Sequence, residues 1–337
     1  MAVSIEDIKK LRKITSAGMV DCKKALVEAE GDLNKAIEIV RKRGQAIAAK
    51  RADRDAAEGR ALAKADGQFA AVISIKCETE PVANNEKFVN LVNDTLDAAM
   101  AARVKTAAEV LALPLYETTV EDQIKVLSGV TGEKMEMGEY AVVEGAATVA
   151  YNHFNKKLST VVAFNNELAE DVAKTIAMQV ASMNPIVATR DQISQEKIDE
   201  EYNIAVEKTK AEQVKKAVDV ALKKAGFNAY YCETEEHMDE ALRKGYMTEE
   251  QLAEAKKIKE ETAEAKKANL PEQMIKNIAQ GRLNKFFAEN VLMEQEVDAD
   301  GVDKMTVANY LKTFNKELAA IDMKRVNLNA DYLIGLA

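Results

Sequence analysis

The side chains that most often carry enzyme chemistry are few in this sequence and far apart. Its histidines are His153 and His237, and its cysteines are Cys22, Cys77 and Cys232. None has the spacing of a metal site or a C-x-x-C pair, and the chain has no Gly-rich phosphate loop, no H-E-x-x-H and no G-x-S-x-G. We therefore expect no catalytic residues, no metal site, no disulfide and no cofactor.

The residues best suited to bind another protein lie in a short loop between an alternating apolar run and a helical stripe. Residues 77–84 read Cys-Glu-Thr-Glu-Pro-Val-Ala-Asn and place a carboxylate, Glu80, beside a rigid apolar residue, Pro81. Two interpretations are open. The loop is either an ordinary helix entry, with an asparagine at 84 or 85 as the cap, or a contact surface whose tip is Pro81 and Val82.

A second candidate contact is Met19 with Val20, beside Gly18 at the start of a predicted helix. Both residues lie off the apolar stripe of that helix, which runs through Cys22 and Leu26. An exposed methionine next to a small residue suits an adaptable protein contact. The alternative is that Met19 fills the core of a small bundle.

The overall composition predicts a soluble, mostly helical protein of two or three domains. Of 337 residues, 31% are charged and only 5% aromatic, with no tryptophan. The net charge of -9 argues against a bulk nucleic-acid binder. Residues 1–60 hold 14 Lys or Arg against 10 Asp or Glu, which indicates either an anionic partner or a solvated helix face.

The chain shows no signal for secretion or for membrane insertion. Its start lacks the apolar run of a signal peptide, and no stretch approaches the roughly eighteen apolar residues of a membrane helix. We therefore expect a cytoplasmic, reducing location.

Three short helices are predicted before residue 44. Ser4 with Asp7 resembles a capping box, and Asp32 after Gly31 begins the third helix. Gly44 is expected to end that helix. The helical module is thus assigned to 1–44 and a linker to 45–57, a stretch rich in Ala, Lys and Arg that is either a linker or an exposed helix.

From Glu58 the pattern changes to an α+β arrangement that occurs twice. Two alternating runs flank Asp66-Gly67, a hairpin signal, and a helical stripe follows. The same order begins again at Glu144, and residues 325–328 are expected to form the last strand. This repetition predicts an α+β fold with a duplicated core of antiparallel sheets, each covered on one side by helices. The predicted bounds are 58–143 for the first core subdomain, 144–185 with 271–328 for the second, and 329–337 for a tail.

The composition and apolar spacing of residues 186–270 predict an inserted helical arm. They contain no proline, and their apolar positions run out and back as in an antiparallel helical hairpin. The helix after Pro271 is expected to return to the core. The arm has a cluster of large side chains near its tip, either a small satellite core or a docking surface: Phe227, Tyr230, Tyr231, Tyr246 and Met247.

The stretch from Leu11 to Leu26, L-R-K-I-T-S-A-G-M-V-D-C-K-K-A-L, closely resembles the amino-terminal signature of bacterial elongation factor Ts. The resemblance implies that residues 1–44 form a ubiquitin-associated-like bundle. In that family the bundle docks on the GTP-binding domain of elongation factor Tu. By this resemblance the contact falls to Arg12, Met19 and Val20.

The loop at 77–84 resembles the family motif Cys-x-Thr-Asp-Phe-Val-Ala. The aspartate and phenylalanine of that motif enter the switch region of elongation factor Tu and disturb its bound magnesium and phosphates. Here Glu80 replaces the aspartate and Pro81 replaces the phenylalanine. The resemblance therefore implies a partner-binding loop of Thr79, Glu80, Pro81 and Val82, held rigid and without an inserted ring.

Three further features extend or depart from the resemblance. Tyr151-Asn-His153 is similar to a family Tyr-x-His, which implies a partner contact for His153; the alternative is an exposed histidine without a role. The arm is longer than the family's dimerising hairpin, so a monomer and a homodimer both remain open. Residues 329–337 are too few for the carboxy-terminal helix of some relatives.

The resemblance implies a guanine nucleotide exchange factor. Such a protein binds elongation factor Tu·GDP, promotes GDP release by perturbing the magnesium and phosphate site, and leaves a nucleotide-free complex that GTP resolves. The expected partner is elongation factor Tu, with no direct nucleic-acid binding and no membrane. The alternative is a ribosome- or chaperone-associated adaptor that carries a ubiquitin-associated-like module and has no exchange activity.

Overall fold

The computed structural model describes residues 3–15, 17–51, 53–299 and 301–328. The predicted tail, 329–337, and Ser16 lie outside these residues. By its contacts the chain divides into two compact units. One combines residues up to Thr189 with those from Glu289 onward, and the other is Arg190–Ala288.

Three helices form the amino-terminal bundle: α1 (Ile5–Thr15), α2 (Met19–Glu28) and α3 (Leu33–Lys50). The Ser4 hydroxyl accepts a hydrogen bond from the Asp7 amide at 3.0 Å and donates to the Asp7 carboxylate at 2.6 Å, which confirms the predicted start of α1. Asp32 accepts from two amides at the start of α3. The small apolar core draws on all three helices: Ile8, Leu11, Cys22, Ala25, Leu26, Ala36 and Val40.

The first core subdomain is an antiparallel sheet, in the order β1-β2-β5, with helices on one face. Its strands are β1 (Glu58–Asp66), β2 (Phe69–Cys77) and β5 (Met135–Glu144), beside a short ribbon of β3 (Pro114–Leu115) and β4 (Thr118–Thr119). Its helices are α4 (Glu80–Ala83), α5 (Glu86–Ala102), α6 (Ala107–Ala112) and α7 (Val120–Thr131). The predicted apolar stripe of α5, including Phe88, Val92 and Leu96, is buried against β2.

Gly44 does not end the third helix, as its sequence context predicted; α3 continues to Lys50. Gly44 instead lies where α3 and α7 cross at close distance. A Cβ at Gly44 would lie 2.8 Å from the Lys125 carbonyl oxygen, and a Cβ at Gly129 would lie 2.5 Å from the Gly44 Cα. Glycine at position 44 therefore serves close packing and does not end α3. The first half of the stretch 45–57 is helix, which was one of the two forms expected for it.

The second core subdomain repeats the arrangement with a sheet in the order β6-β7-β8. Its elements are β6 (Ala147–Asn152), β7 (Leu158–Phe164), α8 (Glu170–Met183), α13 (Val307–Phe314) and β8 (Ala320–Asn327). The core between sheet and helices contains Phe164, Ile176, Leu292 and Leu311. The last strand begins at Ala320, five residues earlier than its predicted start, because β8 pairs along the full length of β7.

Small side chains fill the space between the two sheets. Ala61, Ala63 and Val72 of the first sheet meet Val161 and Ala163 of the second in one buried cluster. Alanine and valine allow the two sheets to approach closely while excluding water. Each sheet therefore has helices on one face and the other sheet on its opposite face.

The arm unit consists of helices. They are α9 (Gln195–Lys224), α10 (Glu235–Arg243), α11 (Glu249–Ala268) and α12 (Glu272–Asn290), of which α12 belongs to this unit up to Ala288. α9 and α11 pack as the expected outgoing and returning helices. Arg282 of α12 pairs with Glu212 of α9. Most of α12 thus clusters with the arm, whereas the sequence assigned residues 271–328 to the second core subdomain.

The aromatic cluster at the arm tip is divided between two environments. Phe227, Tyr231 and Met247 pack into an apolar cluster with Leu222 and Leu252 of the two long helices. By contrast, Tyr230 and Tyr246 are exposed. The first three act as a satellite core, so the docking-surface interpretation applies at most to the two exposed rings.

The glycine crossing can be tested by adding a single methyl group. We expect Gly129→Ala to lower the free energy of unfolding by about 1–3 kcal/mol, because the new Cβ meets the α3 backbone, which cannot give way like a flexible side chain. Urea unfolding followed by far-UV circular dichroism measures the change.

The matched control is Gly281→Ala in α12, where a Cβ would have nothing within 4 Å. This change should leave stability unaltered or raise it by up to ~1 kcal/mol, since alanine favours helix over glycine. An unchanged urea midpoint for Gly129→Ala would contradict the close-packing explanation.

Candidate partner-binding site

The loop from β2 to α5, residues 78–85, is fastened at its base by Thr79. The Thr79 amide donates to the Glu133 carboxylate at 3.1 Å, and the Thr79 hydroxyl donates to the same carboxylate at 2.6 Å. The Cys77 thiol donates to the Thr79 carbonyl at 3.3 Å. Burial and the charge of Glu133 raise the pKa of Cys77 to about 12, so this thiol is a buried structural group and not a nucleophile.

Glu78 connects the loop to two other segments. Its carboxylate accepts hydrogen bonds from Arg51 Nη1 at 2.9 and 3.1 Å and from the Lys134 amide at 2.6 Å, and it pairs with Arg54 at 3.3 Å. The Lys134 hydrogen bond, followed by those of Arg51, holds the pKa of the Glu78 carboxyl below its ordinary value. One carboxylate thus joins the end of α3, the loop and the start of β5.

The side chains at the loop's outer turn differ in exposure. Glu80 and Pro81 are exposed, while Val82 is half-buried against the first core. Pro81 lies in the first turn of α4, where its missing amide hydrogen breaks no helical hydrogen bond. The exposed tip therefore consists of Glu80 and Pro81, whereas Pro81 and Val82 were expected there. Asn85 caps α5 by accepting from an amide at 3.0 Å, so the loop is also a helix entry.

The turn of the β6–β7 hairpin lies beside this loop, and the two share a cleft of about 250 Å³. The cleft is lined by Glu80 and Asn84 from the loop, Arg60 from β1, and Phe154 and Lys156 from the hairpin turn. Arg60 donates to the Asn84 side chain at 3.3 Å, and burial lowers the pKa of the Arg60 guanidinium. The duplicated core thus brings residues about 70 positions apart to one surface.

His153 is half-buried at the edge of the hairpin turn. Its Nδ1 shares a hydrogen bond with the Tyr151 hydroxyl at 2.9 Å, and its ring centroid lies 4.4 Å from that of Phe154. His153 therefore contacts both the Tyr151 hydroxyl and the Phe154 ring.

The residues predicted for the amino-terminal contact lie on the surface of the bundle. Arg12 is exposed on α1, and Met19 and Val20 begin α2 with exposed fractions of 39% and 65%. Met19 does not belong to the buried cluster of the bundle, which contradicts the alternative that it fills the core. Burial raises the pKa of the Cys22 thiol, while the Thr15 hydroxyl and the charge of Arg12 oppose that rise.

A larger cavity, of about 780 Å³, lies within the arm unit. Val214, Val218 and Leu222 of α9 line it together with Cys232 and Lys259. Burial raises the pKa of the Cys232 thiol, and the Lys259 ammonium donates to the Cys232 carbonyl at 2.9 Å. None of the residues predicted for partner contact lines this cavity.

Two absences concern the described part of the chain, that of a membrane-spanning helix and that of a cluster of metal-ligating side chains. None of its helices combines the length and apolar character needed to cross a bilayer. Within residues 3–328, apart from the three undescribed positions, no group of three or more His, Cys, Asp or Glu side chains could hold a metal ion.

Sequence reasoning missed the residues that position the loop. Glu133 lies 54 positions from Thr79, and Arg51 lies 27 positions from Glu78. No spacing rule connects residues so distant, because their contact depends on how α3, α7 and β5 are arranged. Glu78 occupies the variable position of the motif Cys-x-Thr, directly before Thr79. That position is the one sequence signal that points to Glu78 as a residue that holds the loop.

Comparisons with known proteins agree over nearly the whole chain. The family described as "Elongation factor TS" matches residues 78–234 and 213–330. Elongation factor Ts of Bacteroides thetaiotaomicron is 52% identical over 332 residues, covering 98% of this chain and all of the relative. The corresponding proteins of Porphyromonas gingivalis and Amoebophilus asiaticus are 40% and 36% identical, each again covering 98% of this chain and all of the relative.

The Glu78 hydrogen bonds predict a pH-dependent contribution to stability. We expect Glu78→Gln to lower the urea midpoint near pH 7, because it removes the charge that Arg51 and Arg54 share. A carboxyl whose folded pKa is depressed stabilises the protein above its unfolded pKa, about 4.3 for Glu, and loses that effect as pH falls. The difference in urea midpoint between Glu78→Gln and wild type should therefore shrink as the pH falls below the unfolded pKa of Glu.

Urea titrations at several pH values between neutrality and about pH 3 measure this, the lower limit lying below the ordinary carboxyl pKa. Glu117→Gln is the matched control, because Glu117 is exposed in the turn between β3 and β4. A wild-type advantage that stayed constant across the whole pH range would rule out the proposed role of the Glu78 charge.

Proposed function

The chain belongs to the elongation factor Ts family of translation factors, and from this premise we propose that it is the guanine nucleotide exchange factor of elongation factor Tu. It binds the GDP form of that GTPase, promotes GDP release by perturbing the magnesium and phosphate site, and leaves a nucleotide-free complex that GTP resolves. It acts in the cytoplasm, needs no cofactor, makes or breaks no covalent bond, and binds neither nucleic acid nor membrane directly.

The observation that most supports this proposal is the fastened loop at residues 78–85. Glu133 holds Thr79 by two hydrogen bonds, and three further groups hold Glu78. Glu80 and Pro81 nevertheless remain exposed. A loop ordered before binding loses little conformational entropy on contact, so more of the contact energy is available to disturb the partner.

The carboxylate of Glu80 is chemically suited to a magnesium and phosphate site. Magnesium prefers oxygen ligands in a strict octahedral arrangement, so a carboxylate brought near it competes with the existing ligands. The same negative charge repels the diphosphate. Pro81, beside it, presents a rigid apolar surface that can displace a switch segment without rearranging itself.

Exchange requires that the factor bind the nucleotide-free GTPase more tightly than the GDP form. A factor shifts that equilibrium only by its difference in affinity for the two states. By linkage, GDP or GTP weakens factor binding by the same ratio, and this is why GTP resolves the complex. The loop at 78–85 supplies that difference, while other contacts hold the partner in both states.

We assign the holding contacts to Arg12, Met19 and Val20 of the bundle and to His153 of the second core subdomain. In this proposal each of three parts of the chain provides one contact surface for the partner. The module 1–44 and the second core subdomain provide the holding contacts, and the first core subdomain provides the loop at 78–85. The exposed Met19 and Val20 offer apolar area, and the exposed Arg12 offers a positive charge on the same bundle.

The adaptor alternative is not favoured by the comparisons, and one experiment separates it from exchange. Mixing the protein with elongation factor Tu loaded with a fluorescent GDP should accelerate nucleotide release. Binding without acceleration would support an adaptor instead.

The loop should act mainly on GDP release. We expect the double variant Glu80→Ala with Pro81→Ala to slow GDP release on the order of tenfold, the effect of losing one charge-assisted contact, with a smaller change in affinity. Stopped-flow release of the labelled nucleotide gives the rate, and calorimetry with the nucleotide-free partner gives the dissociation constant. Glu117→Ala, an exposed change outside this loop, is the control. An unaltered release rate in the double variant would overturn the role of the loop.

The bundle should act mainly on affinity. We expect Met19→Asp to raise the dissociation constant by about tenfold or more, because binding would bury an unpaired charge, while the release rate at saturating factor stays near wild type. Aspartate suits the first turn of α2, so the bundle should remain folded. Ile5→Asp, a similar change in the first turn of α1, is the matched control. Unchanged affinity for Met19→Asp would remove Met19 from the contact.

A further inference from the structure

We propose that Phe154, in the turn of the β6–β7 hairpin, is an additional partner-contact residue that works together with the Glu80 loop. This inference rests on the proposed function, because its occupant is the GTPase on which that loop acts. A segment of the GTPase would place an apolar side chain against the Phe154 ring, with a carboxylate facing Lys156.

The first observation is the exposure of Phe154, of which 85% is accessible to solvent. The other exposed phenylalanine, Phe314, is 54% accessible and packs edge-to-face against Tyr310. Single exposed apolar side chains are common and by themselves indicate nothing. An almost fully exposed aromatic ring, however, contributes little to folding and offers a large area for a partner to bury.

The second observation is that the turn carrying Phe154 is firmly held. The Lys156 carbonyl accepts from the Ala61 amide at 2.8 Å, and the Lys157 ammonium pairs with Glu58 at 2.6 Å. Inside the turn, the Lys156 amide donates to the His153 carbonyl at 2.9 Å. The backbone beneath Phe154 is therefore attached to β1 of the other subdomain and does not behave as a free loop.

The ring is also supported from one side. His153 lies against Phe154, and the Tyr151 hydroxyl holds His153 in place. The Phe154 ring therefore has an aromatic neighbour in His153 and is otherwise largely open to solvent. Aromatic side chains are common anchors of protein interfaces, since they have few rotatable bonds and lose little side-chain entropy when they are covered.

The third observation is that Phe154 and Glu80 line the same cleft. A partner segment that reaches Glu80 therefore lies within reach of Phe154, so the two residues form one continuous surface. Of the cations in the cleft, Lys157 is paired with Glu58 and Arg60 contacts Asn84, whereas Lys156 is exposed. An apolar side chain next to an acidic one complements this combination.

The test compares Phe154→Ala with the control Phe314→Ala in the full-length protein. We expect Phe154→Ala to raise the dissociation constant for nucleotide-free elongation factor Tu by about tenfold, the usual effect of truncating an aromatic anchor. Phe314→Ala should stay within twofold of wild type, and Phe154→Leu should recover most of the affinity because it restores apolar area. Urea midpoints of all variants show whether the fold is intact.

The outcomes separate this inference from the function on which it rests. If the wild-type protein fails to accelerate GDP release, the proposed function fails and the role of Phe154 fails with it. If the wild type accelerates release and Phe154→Ala binds as tightly as Phe314→Ala, the inference on Phe154 alone is overturned. A loss of affinity in Phe154→Ala that Phe154→Leu does not restore would also contradict an apolar contact.

Discussion

The packing of two small sheets through alanine and valine side chains determines where the other surfaces of the core can lie. Because Ala61, Ala63 and Val161 leave little space between the sheets, the turn of one hairpin reaches the first strand of the other subdomain. The Asn152 side chain bonds to both backbone groups of Ala63, at 2.7 and 2.9 Å, and so sets the alignment of the two sheets. Larger side chains at this interface would separate the loop at 78–85 from the hairpin turn.

A second close contact joins the amino-terminal bundle to this core. Gly44 and Gly129 let α3 and α7 cross at backbone distance, and Arg41 of α3 pairs with Asp122 of α7 at 2.8 Å. Just after α3, Arg51 reaches Glu78 at the base of the loop. The bundle is therefore packed on the first core subdomain and not merely tethered to it. In the proposed function, one compact unit carries both the holding contacts and the loop that acts on the partner's phosphate site.

Prediction from the sequence succeeded where the deciding interactions are local. The cap at Ser4, the Asp-Gly hairpin, the stripe of α5 and the repeated order of strands and helix depend on residues close in the chain, and the structure contains all of them. It failed at Gly44, since an isolated glycine after basic residues has the same local pattern at a helix end and at a helix crossing. Only the presence of α7 distinguishes the two cases.

The sequence alone therefore determined the family, the α+β class and the residues of the candidate loop, because these depend on residue type and short spacing. The tertiary structure decided which of those residues are exposed: Val82 is half-buried, Glu80 and Pro81 are exposed, and Phe154 lines the same cleft as Glu80. Exposure and proximity depend on contacts between segments distant in sequence. The free energy of those contacts is set by shape and burial in three dimensions, which no local pattern encodes.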